Sequence, residues 1–213
     1  MRVWSYVITT DSGAAPNYDQ PAVTLAVCKP RIRRSAQIGD LVMAFNGATL
    51  ARNPHSVRWA GIVSEVISLD EYWRDRRFDG KRPGRSAAPD NIYRLEGETW
   101  IQVPNSTHDS RNVQTDLSGA NALVFGEVWH FADKAPELPP AFDLRVTANR
   151  RIEPLRHIAE NERVELEGWL AAHNQGLPAG PKDALRSCGA AQVKDNAATP
   201  HFLAGKRVKR TSC

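Results

Sequence analysis

A chain of 213 residues with 41% apolar and 24% charged side chains can bury one generous core, and its composition is neither that of a disordered polymer nor that of a collagen-like one. The net charge of +4 is supplied by Lys206, Arg207, Lys209 and Arg210 in the acid-free stretch His201 to Cys213, so the remaining body is formally neutral and exerts no global pull on phosphate. The start, "MRVWSYVITTDSG", predicts neither a secretory signal nor a membrane span and so a cytoplasmic protein, while Cys28, Cys188 and Cys213, odd in number and without C-x-x-C spacing, support neither a disulfide framework nor a structural zinc site.

Arg2 to Thr9 alternates, with Trp4, Tyr6 and Ile8 on one face and Val3, Ser5 and Val7 on the other, which predicts a strand. The loop "DSGAAPNYDQP" leads to a short strand over Ala22 to Val27. Pro30 suits a first helical turn, so Arg31 to Ala36 reads as a short helix or turn before the Gly39-Asp40 punctuation and a strand from Leu41 to Phe45. Val57 to Ile67 is the longest β-like run, and Gly61 within it marks a bulge or a close approach to the backbone. Asp70 to Trp73 forms a helical turn at the head of a long polar loop reaching Asn91, a surface suited to a protein partner. Thr99 to Val103 and Leu123 to Phe131 complete the strands. Short strands with irregular connections predict an α+β fold built on a small, closed or nearly closed mixed β-barrel.

Beyond "ADKAPELPPAF" the period changes. Ile152, Leu155, Ile158, Ala159, Leu166, Trp169 and Leu170 share one helical arc with Asn149 as N-cap, which predicts an amphipathic helix near Arg150 to Ala172 packed on the barrel. The expected division is a domain over 1–142, the helix within 143–175, and a flexible basic tail over 176–213.

The phosphate-cradling, dinucleotide-binding, zincin and esterase-elbow motifs are all missing, which removes support for the corresponding chemistries. No cofactor or metal is implied. The one cluster of catalytic residue types is "HDSRNVQTD", where His108 and Asp109 precede Asp116; a polar loop between strands is the first reading, ahead of metal ligation or acid/base chemistry, because no second His or Cys is spaced to complete a site. Cys28, next to Lys29 and near Arg31, is a candidate nucleophile, although a lone cysteine at a strand end is more often buried filler.

"TLAVCKPRIRRSAQIGDLVMAF" followed by "WAGIVSEVISLDEYW" resembles the PUA-like superfamily, which contains the EVE, ASCH and YTH domains. The wider set "WSYVITTDSGAAPNY", "CKPRIRR", "GDLVMAF", "DEYWRDRRF", "DNIYR", "WIQ", "DLSG" and "FGEVWHFA" resembles the nucleotide modification associated domain of type two, over Met1 to about Pro139. That resemblance implies a PUA-like fold and an association with modified bases, in DNA or RNA, in a base-modification system. Base readers hold an extruded base between an aromatic face and edge-reading polar groups, with cations on the flanking phosphates. The similarity to EVE-type domains puts Cys28 and Phe45-Asn46 at the border of such a pocket. Trp59 is then the stacking candidate, with Tyr18 and Trp4 behind it, and Asn46, Asn17 and Asn91 present amides to a base edge. Lys29, Arg31, Arg33 and Arg34 are the expected phosphate contacts. A binding module is the first expectation; an enzyme acting on the modified base, or a docking scaffold, are the alternatives.

Overall fold

Strand periodicity is realised in β1 (Arg2–Ile8), β2 (Val23–Leu25), β3 (Leu41–Asn46), β4 (Val57–Ser68), β5 (Tyr93–Glu96), β6 (Thr99–Gln102), β7 (Asn121–His130) and β8 (Leu155–His157) of a computed structural model, which describes residues 1–50, 56–131, 134–142 and 155–177. Six of these strands form one sheet in the order β2-β7-β4-β3-β1-β8, while β5 and β6 make a separate hairpin. The β1–β3 pair is parallel and the other pairs are antiparallel. The architecture is therefore mixed α/β.

The expected barrel does not close among the described residues. β2 and β8, three residues each, occupy opposite edges of the sheet rather than pairing with one another. The β2 edge is covered instead by the preceding loop, where Asn17 and Thr24 exchange backbone hydrogen bonds of 2.8 and 3.0 Å. A short strand paired by its own loop leaves little free edge to recruit a further strand.

Both faces of the sheet are buried. Trp4, Tyr6 and Ile8 share one face with Val42, Ala44, Trp59 and Val63, and α1 (Pro30–Ser35) seats Ile32 on it. Val3, Leu41, Met43, Phe45, Ala60 and Trp129 line the other face, covered by Leu166 and Leu170 of α4 (Glu160–His173). The helix begins later than its apolar arc predicts. Residues 150–154 lie outside the described residues, and Leu155–His157 pairs with β1, whose edge it covers, before Ile158 donates its backbone N–H to Met1 O. Val164, on the side of α4 away from Leu166 and Leu170, is exposed. Of the expected tail, residues 178–213 lie outside the described residues, and no helix among those described is long and apolar enough to cross a membrane.

A third cluster joins the sheet to α2 (Leu69–Arg74), the β5–β6 hairpin and α3 (Val113–Leu117) through Tyr72, Phe78, Ile92, Tyr93 and Val113. Ser68 and Glu71 form a reciprocal capping box that starts α2. The polar stretch after α2 is well tied down: Phe78 is buried, and the buried Lys81 ammonium donates to Asn17 O and Oδ1 at 3.3 and 2.8 Å. Burial pushes the Lys81 pKa down to about 8, against the opposing attraction of Asp90 and Asp19.

The Gly39-Asp40 turn has a structural cause. Gly39 takes φ +86°, and the Asp40 carboxylate accepts from Trp4 Nε1 at 3.0 Å, the Gln37 N–H at 2.8 Å and the Arg2 guanidinium. Gly61 is equally constrained. A Cβ there would stand 3.0 Å from both a Trp59 and a Phe125 ring carbon, so the missing side chain makes room for two core aromatics. Gly61→Ala is expected to destabilise the protein by about 1–3 kcal/mol, through a lower denaturation midpoint at unchanged m-value, because neither ring can withdraw from a packed core.

Candidate active site

The segment between β2 and α1 turns sharply. Cys28 and Lys29 adopt successive left-handed conformations, φ +56° and +41°, a rare state for residues that carry a Cβ. Pro30 then opens α1, where a missing N–H costs nothing. The strained turn is held from both sides. Asp116 Oδ1 accepts the Cys28 N–H at 2.7 Å, and the wholly buried Arg33 donates its Nε to Cys28 O at 2.7 Å. Arg33 also donates to Asn121 O at 2.8 Å and to Asp116 O, so one guanidinium ties the turn to the α3–β7 connection. Gly119 lies against it, and a Cβ there would collide with the guanidinium.

Opposite the turn, Asn105 Oδ1 accepts the Thr107 and His108 backbone N–H groups at 2.9 and 2.8 Å. This loop carries His108 between two partners: Nε2 lies 3.2 Å from Cys28 Sγ and Nδ1 lies 2.5 Å from Asp116 Oδ2. Cys28, His108 and Asp116 are therefore one chain of contacts, drawn from positions 80 and 8 residues apart. Tyr93 OH donates to Asp116 Oδ2 at 2.8 Å and accepts from Gln102 Nε2 at 3.1 Å, while Gln102 also reaches His108 O and Asp109 O.

Burial on its own would strip the proton from His108, but its hydrogen bonds to Asp116 and Cys28 and the attraction of both groups outweigh it, raising the pKa to about 10. The imidazolium donates from Nδ1 to the carboxylate and from Nε2 toward sulfur. Tyr93 is driven upward by burial and by the adjacent Asp116, and stays a neutral donor. Asp116 is sealed: Oδ1 takes the Cys28 N–H, Oδ2 takes His108 and Tyr93, and the Arg33 guanidinium stands 4.0 Å away.

The ligand atoms of Cys28, His108 and Asp116 lie within 4.8 Å of one another, close enough for a metal ion to be considered. The donor set argues otherwise. Asp116 faces the nitrogen of His108 that points away from the sulfur, and its oxygens already accept three hydrogen bonds, so the carboxylate orients the ring.

The other sequence-derived candidates are dispersed. Asp109 is not in the cluster; it is exposed and paired with Arg111. Trp59 is fully buried, edge-on to Phe125 at 5.0 Å, with its Nε1 donating to Tyr6 OH at 2.9 Å. Phe45 and Trp4 are core residues. Asn17 is spent on Ala88 O, the Asp19 N–H and Lys81. Asn46 and Asn91 are buried, each with its amide nitrogen bonded and its side-chain oxygen unpaired. Tyr18 is half-buried, and its hydroxyl has no hydrogen-bond partner. Of the four expected phosphate contacts, Arg33 is wholly enclosed, because a left-handed turn and a buried carboxylate both need its donors. Arg31 and Arg34 are exposed on one face of α1, and Lys29 is half-buried with Nζ 3.3 Å from Val7 O and 4.6 Å above the Tyr6 ring.

The family model described as nucleotide modification associated domain 2 matches residues 1–188. The chain belongs to that family. No curated protein and no solved structure matches it. Every residue of the contact chain, with its supports Arg33, Tyr93 and Gln102, falls inside the matched span of this nucleotide modification associated domain. Sequence reasoning passed over Tyr93 and Gln102, which sit in "DNIYR" and "WIQ", and it treated Cys28 and His108 separately.

Folded His108 holds its proton to about pH 10, whereas an unfolded histidine releases it near 6.5. The stabilisation from this proton is therefore complete below pH 6.5 and vanishes as pH rises to about 10. The stability difference between the parent and His108→Gln should shrink over that window by on the order of 2–4 kcal/mol, measured by denaturant unfolding at each pH. Taking the difference cancels Lys81, whose depressed pKa makes stability rise with pH above about 8 in both proteins.

Proposed function

We propose that this nucleotide modification associated domain acts covalently on a modified base or nucleotide, with Cys28 as nucleophile, His108 as its acid/base partner and Asp116 as the group that orients the imidazole. The observation that carries this reading is the Sγ–Nε2–Nδ1–Oδ2 chain, 3.2 Å at sulfur and 2.5 Å at the carboxylate. His108 Nε2 is the group within reach of the sulfur that can exchange a proton with a reacting substrate there. The left-handed turn supports the role, since backbone strain of about 1–3 kcal/mol persists only where surrounding contacts over-determine it, and here Arg33 and Asp116 do so.

The nucleotide is inferred from the family and from the cations that follow the nucleophile. Arg31 and Arg34 are three residues apart, so they stand about 4.5 Å apart along the α1 axis and can engage neighbouring phosphate oxygens. Recognition of a base without turnover is the second reading, and the exposed Arg31 and Arg34 favour it as much as they favour catalysis. Kinship with the PUA-like base readers belongs to this proposal.

Iodoacetamide alkylation of Cys28 tests the thiol. With His108 Nε2 in contact with its sulfur, Cys28 should react faster than free cysteine. His108→Gln should abolish the excess. Equal rates in the two proteins, or stoichiometric zinc binding that shields Cys28, would overturn the assignment. For the cations, replacing Arg31 and Arg34 together by Ala should lower the log–log salt slope of single-stranded oligonucleotide binding by about 1.4, with the melting temperature unchanged.

A further inference from the structure

We infer that the reaction at Cys28 is acyl transfer: the site takes a nucleotide whose base carries a carbonyl group in amide or ester linkage, and the sulfur holds that acyl group as a thioester. This rests on the proposed nucleophilic role and adds the bond that is made and broken.

The acid/base groups at the sulfur select the chemistry. His108 Nε2 is the proton carrier there, 3.2 Å from Sγ. Asp116 cannot leave to act on a substrate, because the Cys28 N–H, His108 Nδ1 and Tyr93 OH already occupy its oxygens. Tyr93 OH is turned inward onto the same carboxylate and also accepts from Gln102. The site therefore moves one proton back and forth at one nitrogen, and the candidate thiol reactions differ in whether that is enough.

Acyl transfer needs nothing more. The Cys28 thiolate adds to the carbonyl carbon; the carbon–nitrogen or carbon–oxygen bond to the nucleotide breaks, and the Nε2 proton goes to the departing atom. Water then returns a proton to Nε2 as its oxygen attacks the thioester carbon, and the carbon–sulfur bond breaks to release the carboxylic acid and restore the thiolate and imidazolium. Atoms and electrons balance with water as the one co-reactant. Addition of the thiolate to a pyrimidine ring carbon calls for a second acid at the ring nitrogen or exocyclic group, the role Asp116 is prevented from filling. Alkyl transfer leaves a thioether and ends after one turnover. Thiol oxidation would need an oxidant and a resolving thiol, and Cys28 is the free cysteine among the described residues.

Geometry beyond the triad is consistent with a substituent entering at sulfur while the nucleotide stays outside. Cys28 is half-buried just before α1, whereas Arg31 and Arg34, three and six residues further on, are exposed.

The test uses the full chain with two acyl donors, p-nitrophenyl acetate and an acetylated cytidine monophosphate carrying the acetyl group on its exocyclic nitrogen. Acid quench and intact-mass analysis should show one acetyl group per chain, mapped to Cys28 by peptide sequencing and released by hydroxylamine. Deacetylated nucleotide should accumulate over many turnovers, and His108→Gln should slow this by roughly a hundredfold or more. The mapping needs the parent protein alone, so it stands even if a variant misfolds. If Cys28 shows His108-dependent alkylation yet neither donor acetylates it, the acyl inference falls and the nucleophile assignment remains. A thioether formed once per chain from an alkylated nucleotide, with no acetyl-enzyme, has the same consequence. Loss of His108-dependent alkylation brings down both.

Discussion

The arrangement around Cys28 depends on neutralising one buried cation. Arg33 is removed from water by the packing of α1 against the sheet, and an enclosed guanidinium must have its donors met and its charge opposed. Its donors go to Cys28 O, Asn121 O and Asp116 O, and its charge faces the Asp116 carboxylate at 4.0 Å. Satisfying Arg33 thus fixes two chain segments 88 residues apart relative to each other. The Cys28 turn lies on one and the Asp116 carboxylate on the other. Gly119 belongs to the same constraint, since any Cβ there would occupy the space of the guanidinium.

From that clamp the electrostatics follow in order. Asp116, enclosed with Arg33 nearby, remains an acceptor for three donors, and His108 is the one among them that carries a mobile proton. The carboxylate and the sulfur overcome the burial of His108 and keep its ring charged, and the charged ring in turn supplies a proton at the sulfur. Tyr93 and Gln102 keep the carboxylate from rotating toward the sulfur, linking the β5–β6 hairpin to the site. The hairpin stands outside the main sheet, and this is a reason for its presence.

A second buried charge behaves differently. Lys81 is enclosed with Asn17, and its ammonium holds the loop that covers the β2 edge. Its depressed pKa reflects burial without a directly bonded carboxylate, whereas Arg33 has both saturated donors and a facing anion. One cation organises the candidate chemistry, and the other holds the loop that covers the β2 edge of the sheet.

The sequence by itself determined the strands and their faces. Alternation in Arg2 to Thr9 and in Val57 to Ile67 is a local property, and Trp4, Tyr6 and Ile8 do share a face, as do Trp59 and Val63. It also determined the family, because motifs such as "CKPRIRR", "DNIYR", "WIQ" and "DLSG" contain Cys28, Arg33, Tyr93, Gln102, Asp116 and Gly119. The tertiary structure decided what those residues do together. Whether a tryptophan stacks on a base or fills a core depends on what packs around it, and Phe125 and Gly61 enclose Trp59. Whether an arginine meets phosphate or clamps a turn depends on which side of a short helix is covered, and α1 buries Arg33 while exposing Arg31 and Arg34. Cys28 and His108, 80 residues apart, have no periodicity or spacing to connect them; only the folding of β2, α1, β6 and α3 around a buried charge brings sulfur and imidazole to 3.2 Å.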